Sequence, residues 1–439
     1  MEQPKQSSIS SWLSRAPAWQ FSIYAMGFAF LTYFCMYAFR KPFGAATYEG
    51  LEFLGTGIKL KTAFVIGQII GYTLSKYYGC KFCSEIGRSR QAKALVLMIV
   101  IAEAGLLGFA VLPDNLKVLA IFINGLPLGM VWGLVSRYLE GRKTAELLFA
   151  GLSCSYIVAS SSVKTAGGWV MQAGVPEFWM PVTVGAFFFL PFIVAVFFLN
   201  QLPEPSAEDI SSRSERTVMD GQERSTFFKQ FMGGMIMLLI LYFFLTAYRD
   251  VRDMYMPEVF KALNYPPEPT LFSKADYPIA FGIMVVMALL NLAKDHRRGL
   301  TAVFGVMMGG MLLMGGATVL MDLKMIDGLW WMILVGFGAY LAYVPFGAVL
   351  FERIMASTRA VGTAVFAIYL SDAIGYTGSV GIQLYKDLGQ AELDYYQFLR
   401  FFTYGMAGLG TVLFFFSGLY FLAKAKAASS DMSGKQESA

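Results

Sequence analysis

Charge, histidine and cysteine are the scarce materials of this chain. Of its 439 residues 15% are charged, one is histidine and four are cysteine, whereas a soluble domain carries about 25% charged side chains. Four cysteines in a chain of this length make no disulfide framework. Cys80 and Cys83 do form a C-x-x-C, but a zinc site needs two further ligands, and the lone histidine, His296, stands far away in sequence. The pair therefore reads as packing thiols, and no metal site is expected. Walker-type and kinase-type nucleotide motifs are missing, as is any serine or cysteine triad, so no cofactor and no catalytic residue is expected and the chain does not read as an enzyme. The net charge of +5 comes without a basic patch on a soluble domain, which speaks against nucleic acid as a partner.

What the chain has instead is apolar surface. Hydrophobic residues make up 56% and aromatics 16%, with a mean hydropathy of +0.54. Apolar stretches near the 20-residue length that crosses a hydrocarbon core of roughly 30 Å recur along almost the whole sequence. They predict an all-α integral membrane protein with twelve transmembrane helices, near 20–43, 61–82, 92–112, 116–137, 146–167, 178–199, 227–250, 275–293, 300–321, 328–350, 360–383 and 398–423. The first of these is too long for a signal-peptide core and lacks a cleavage site behind it, so it is expected to stay. Lys and Arg gather in alternate loops, which by the positive-inside rule places those loops and both termini in the cytosol and the protein in the cytoplasmic (inner) membrane. The stretch 200–226 is rich in Pro, Ser and charge, unlike its surroundings. It reads as a cytosolic linker between a six-helix bundle at 20–199 and a second at 227–423, flanked by an N-terminal segment 1–19 and a cytosolic tail 424–439.

Two six-helix halves invite a test for internal repetition. Laying "YFFLTAYRD" over "YFCMYAFRK" at a constant offset of 209 matches Tyr33 with Tyr242, Phe34 with Phe243, Ala38 with Ala247 and Arg40 with Arg249. The polar members fall at i, i+4 and i+7. Tyr33, Tyr37 and Arg40 in one half, and Tyr242, Thr246 and Arg249 in the other, are therefore expected on one helical face each, both turned to a central cavity. Arginines that only snorkelled to the outer interface would leave the shared Tyr and Thr face unexplained. Lys76, Lys164, Asp372 and Glu103 also fall inside spans. A lone charge at the bilayer centre costs roughly 2.5–3.5 kcal/mol, so such residues face a wet cavity or a partner. Lys164 and Asp372 are 208 residues apart, nearly equivalent in the repeat, and are expected to meet across its axis as a gate or a bridge. Glu103 is expected to pack against a lysine or to face a polar pocket.

Several motifs keep a shared order and spacing. The first span ends in Tyr37, Arg40, Lys41 and Phe43, the second carries Tyr72, Ser75 and Lys76, and the fourth reads "NGLPLGMVWGLVSR". Arg249 is followed by Pro257, and the eleventh span opens with Ala-Val-Gly-Thr-Ala at 360–364. In these features the chain resembles the major facilitator transporters, with two pseudo-symmetric six-helix bundles, and within them the organophosphate:phosphate antiporters, the glycerol-3-phosphate and hexose-phosphate carriers. The resemblance implies that Arg40 and Arg249 hold a phosphate and that Lys76 adds positive potential. The family's fifth-helix histidine has no counterpart; its place falls near Ser153 to Tyr156, which makes Tyr156 a candidate and Lys164 a substitute. The superfamily's G-x-x-x-D-R-x-G-R-R loop is degraded to "GCKFCSEIGR", with Cys83 in the Asp position, while "NLAKDHRRG" keeps Asp295, Arg297 and Arg298.

The expected function is thus secondary active transport, by alternating access, of an anionic, phosphorylated metabolite in exchange for inorganic phosphate. Guanidiniums suit bidentate contact with phosphate, and an empty site with Arg40, Arg249 and Lys76 uncompensated would resist closing. The expected substrate ligands are Arg40, Arg249, Lys76, Lys164, Tyr33, Tyr37, Tyr242 and Tyr156, with Asp372 and Lys164 in coupling or gating. A transport-deficient sensor of such an anion and a proton-coupled symporter of a sugar or carboxylate, using Asp372, are the alternatives. The partners are the anionic metabolite, inorganic phosphate and the lipid bilayer, and the chain is expected to act as a monomer.

Overall fold

The computed structural model describes residues 8–437 apart from 141, 143, 206–208, 210–220, 294, 359–363 and 391. The expected linker 200–226 and the Ala-Val-Gly-Thr-Ala stretch lie largely outside these residues. The described residues are helical, without a β-strand, and hold only an isolated bridge between Glu52 and Lys59. They form two compact units, residues 1–214 with 268–273, and residues 215–267 with 274–439.

Unit 1 contains α1 (Ser8–Leu13), α2 (Ala18–Tyr37), α3 (Leu60–Glu85), α4 (Arg88–Val111), α5 (Asp114–Leu139), α6 (Ala145–Gln172) and α7 (Met180–Leu199). Unit 2 contains α8 (Gly221–Gln230), α9 (Met232–Met254), α10 (Met256–Ala262) and, from Lys274 on, α11 (Thr270–Asn291), followed by α12 (His296–Asp322) and α13 (Gly328–Pro345). A π turn, Phe346–Leu350, joins α13 to α14 (Phe351–Thr358), and α15 (Ala364–Leu384) and α16 (Tyr395–Glu437) complete it. The last helix runs to Glu437, well past the expected end at 423.

Eight of the described helices are long and apolar enough to cross a membrane, by length and composition. The helices that fall short of that measure at the other expected spans are α2, α3, α6 and α15, of 20, 26, 28 and 21 residues. They carry Tyr33 and Tyr37, Tyr72 and Lys76, Tyr156 and Lys164, and Asp372 respectively.

The two arginine-bearing segments end differently, which corrects the expectation of two matching helical faces. α2 stops at Tyr37, and Ala38, Phe39 and Arg40 follow in a tightened turn with Arg40 N donating to Tyr37 O at 3.0 Å. Pro42 then opens a 3-10 turn, Pro42–Ala45. Pro42 has no N–H to give to the carbonyl of Ala38, four residues back, and its ring crowds that carbonyl, so the α-helical ladder cannot run on through it, although Lys41 itself stays helical in conformation and donates to Tyr37 O at 2.9 Å. α9 meets no proline until Pro257 and carries Arg249 inside the helix, which continues to Met254.

Glycines bring α3 and α5 unusually close. A Cβ at Gly125 would stand 2.5 Å from the Gln68 carbonyl oxygen, and one at Gly129 the same distance from that of Tyr72. Where lipid offers no hydrophobic drive between helices, such close backbone approach supplies the association. At the far end of α3 the guanidinium of Arg137 donates to the carbonyls of Cys83 and Ile86. The arginine thereby caps the C-terminal end of α3. In the second-half copy, Asp295 caps α12 by accepting from Arg298 N at 2.7 Å.

Gly129→Ala should therefore cost about 1–3 kcal/mol through forced separation of α3 and α5, read as a lower unfolding midpoint in detergent. Gly27→Ala, at a helical glycine with open space around it, is the control and should leave the midpoint unchanged or slightly raised.

Candidate functional site

In unit 1 the site is organised around Tyr72. The Arg40 guanidinium lies over its ring, 3.8 Å from the centroid, and Lys76 Nζ lies 5.4 Å from the same centroid. Tyr37 is 5.8 Å from Arg40 and stacks edge-on with Tyr33 at 5.6 Å, and Tyr33 meets Trp132 at 4.9 Å. Arg40, Lys76, Tyr33 and Tyr37 are thus brought together. What holds the turn is a pair of amides. Gln68 Nε2 donates to the carbonyl of Arg40 at 2.9 Å and to Asn124 Oδ1 at 2.8 Å, while Asn124 Nδ2 donates to the carbonyls of Phe39 at 2.8 Å and Ala102 at 2.9 Å. Asn124 is the Asn of the "NGLPLGM" motif.

Lys164 stands on α6. It is fully buried, with Nζ 5.6 Å from the Phe272 ring, and its neighbour Thr165 contacts the Pro269 carbonyl at 3.0 Å and Ser273 Oγ at 2.7 Å. Tyr156 is half-buried on the same helix, about two turns earlier.

In unit 2, Arg249 lies over Tyr343 at 4.3 Å, and Tyr343 stacks on Tyr242 at 5.3 Å. Here the structure corrects the picture of uncompensated arginines. Arg249 Nη2 is 2.8 Å from Asp250 Oδ1, and Asp250 Oδ2 accepts from Ser379 Oγ at 2.7 Å. The Tyr242 hydroxyl, expected to serve a ligand, donates to Asp372 Oδ1 at 2.8 Å. Lys164 belongs to unit 1 and Asp372 to unit 2.

Sequence reasoning missed Asp250 and the tyrosine platforms under both arginines. Tyr72 stood in a quoted motif without a role, and Tyr343 stood in none. The signal for Asp250 was available: "YRDVRDM" packs four charges into the end of an apolar helix. For the C-x-x-C, Cys83 Sγ makes a long contact of 3.6 Å to the Met130 carbonyl. Among the described residues no group of three or more His, Cys, Asp or Glu could hold a metal ion.

Residues 42–424 match the family of unknown function DUF5690. The chain belongs to that family. No curated protein matches it in sequence. Among solved structures it is similar to a D-xylose-proton symporter, with a TM-score of 0.60 and 14% identity over 92% of this chain and 97% of the other. It is also similar to the nucleoside transporter NupG, with a TM-score of 0.59 and 14% identity over 91% and 98% of the two chains. A third similarity is to a bacterial homologue of the human drug peptide transporters PepT1 and PepT2, with a TM-score of 0.55 and 12% identity over 94% and 99%. This DUF5690 chain therefore has the all-helical fold of the major facilitator transporters.

One turn beyond Arg249, the DUF5690 chain buries a complete ion pair. Arg252 donates from Nη1 and Nη2 to Asp276 Oδ1, both at 3.0 Å, and from Nη2 to the Met332 carbonyl at 2.9 Å, with both side chains 3% exposed. Breaking such a pair leaves a buried charge without compensation, at a cost of about 3–5 kcal/mol, whereas replacing both partners with apolar groups is often neutral. Arg252→Met and Asp276→Leu should each lower the unfolding midpoint sharply in detergent, and the double variant should recover most of the loss.

Proposed function

We propose that this chain is a secondary transporter that moves an anionic, phosphorylated metabolite by alternating access, in exchange for inorganic phosphate. It would do so as a multi-pass protein of the cytoplasmic membrane with both termini in the cytosol. The observation that carries the reading is the pair of arginines at the 209-residue offset, each laid on a tyrosine ring, Arg40 on Tyr72 and Arg249 on Tyr343. A guanidinium stacked on a ring is held flat, and in that plane two parallel N–H donors match the geometry of phosphate oxygens; at Arg249 one of these donors, Nη2, is shared with Asp250. Lys76, beside the same Tyr72, contributes a mobile positive charge. The fold is shared with solved transporters, and the motifs at Tyr37 to Phe43 and Tyr72 to Lys76 resemble the organophosphate:phosphate antiporters. Lys164 and Asp372 take the gating role in this reading.

A second reading has an observation in its favour. Asp372 is hydrogen-bonded to Tyr242, so a proton on its carboxyl would change the donor available to a ligand. That arrangement suits proton-coupled symport of a sugar or carboxylate, and one structural neighbour is a proton symporter of D-xylose.

Exchange in proteoliposomes preloaded with phosphate separates the two. Antiport predicts uptake of glycerol phosphate or a hexose phosphate that requires internal phosphate and ignores a pH gradient; symport predicts the reverse dependence. Arg40→Lys and Arg249→Lys keep the charge but lose the two-pronged contact, and each should reduce phosphate-dependent exchange and phosphate-induced thermal stabilisation at least tenfold while the protein still inserts. Unchanged exchange in both variants overturns the anion site.

A further inference from the structure

The carboxyl of Glu103 belongs to neither arginine cluster, and its surroundings contradict the expectation of a lysine partner. Glu103 lies on α4 in the contact with α7, half-buried, between the buried Ala102 and the exposed Ile101 and Ala104. Its Oε2 is buried and makes no hydrogen bond among the described residues. Across the contact stands Gly185. A Cβ there would collide with Glu103 Oε2 and stand 2.9 Å from Cδ and 3.1 Å from Oε1, so the glycine leaves the space that the carboxyl occupies. α7 has no titratable side chain between Met180 and Leu199. On α5, the other helix packed against α4, Lys117 is taken up by Asp114 and the Leu112 carbonyl, and Arg137 by the carbonyls of Cys83 and Ile86. The basic residues of α4 itself, Arg88, Arg90 and Lys93, sit at its opposite end, Arg88 about 22 Å away at 1.5 Å per residue.

A carboxylate in apolar contact with no cation and no donor is the least favourable state of this side chain, and adding a proton is the remedy the site allows. We propose that Glu103 is a membrane-embedded proton-binding site, held as a neutral acid in the cradle of Gly185 and open to lipid-soluble reagents from the lipid side. The site is separate from the arginine clusters and stands whatever the transported species is.

The probe is dicyclohexylcarbodiimide, which reacts with neutral carboxyls from within a bilayer. The acid gives its proton to one carbodiimide nitrogen, its oxygen bonds the central carbon, and the O-acylisourea so formed rearranges to a stable N-acylurea, with every atom of both reactants retained. The full-length protein in phosphatidylcholine vesicles is treated between pH 5 and pH 9, and the adduct is located by peptide mass spectrometry. The adduct is expected on Glu103, formed at a rate that falls about tenfold per pH unit above the titration midpoint of the acid, and slow or absent with a membrane-impermeant carbodiimide. Glu103→Gln, which mimics the neutral form, should match the wild type in unfolding midpoint at low pH. It should lose less stability than the wild type as the pH rises, because only the wild type must shed a proton into an apolar contact. No adduct at Glu103 at pH 5 in folded protein, an adduct rate indifferent to pH, or equal alkaline loss of stability in wild type and Glu103→Gln each overturns the proposal. The labelling is read on the wild type, so no variant's folding decides it.

Discussion

The carbonyl oxygens of Phe39 and Arg40 have no helical N–H to meet. Pro42 ends α2, and in a membrane protein a backbone group stranded away from water must find a partner inside the protein. Gln68 and Asn124 are that partner. They can reach the turn because α3 and α5 lie nearly backbone to backbone across Gly125 and Gly129, and the same close contact sets Tyr72 under the Arg40 guanidinium. The placement of the charge in unit 1 thus depends on satisfying two uncharged oxygens. A larger residue at either glycine would move the amides and the platform together.

The two units bury charge in opposite ways. Among the described residues of unit 1 the buried charged side chains are all basic: Arg40, Lys41, Lys61, Lys117, Arg142 and Lys164. Unit 2 buries Asp250, Asp253, Asp276 and Asp387 alongside Arg252 and Lys386, and its arginines at 249 and 252 are each bonded to a carboxylate. Symmetry of sequence between Tyr33–Arg40 and Tyr242–Arg249 therefore does not extend to the sign of the charges that the described residues of each unit bury.

How much of this was legible depended on distance along the chain. Arg40, Arg249 and the tyrosines on their own segments, Tyr33, Tyr37 and Tyr242, were visible because the 209-residue offset lies in the sequence itself, and the class of fold followed from apolar lengths. The end of α2 was misread although Pro42 was in view, since the apolar run through Phe43 suggested a longer helix than the proline permits. Tyr343 and Gln68 were invisible for a different reason. Their roles exist only once α13 meets α9, or α3 meets the turn after α2, and no periodicity reports which helices pack together. Glu103 was noticed as a charge out of place, but the glycine that accommodates it lies 82 residues further on.

If Arg249 holds the anion proposed above, Asp250 changes what it asks of that ligand. A group that only accepts hydrogen bonds, such as a carboxylate, would meet the guanidinium donors and, beside them, the repulsion of a second carboxylate 2.8 Å from Nη2. A phosphate ester is different. Its second pKa lies near 6, so close to neutrality part of it still carries a P–O–H that can donate, while its other oxygens accept. An arginine with an aspartate at its side offers donors and an acceptor within one residue of each other, and the monoprotonated phosphate is the anion that satisfies both. On the proposed reading, unit 2 would therefore select among anions by the proton they retain, whereas unit 1, where Arg40 and Lys76 flank Tyr72, would select by charge.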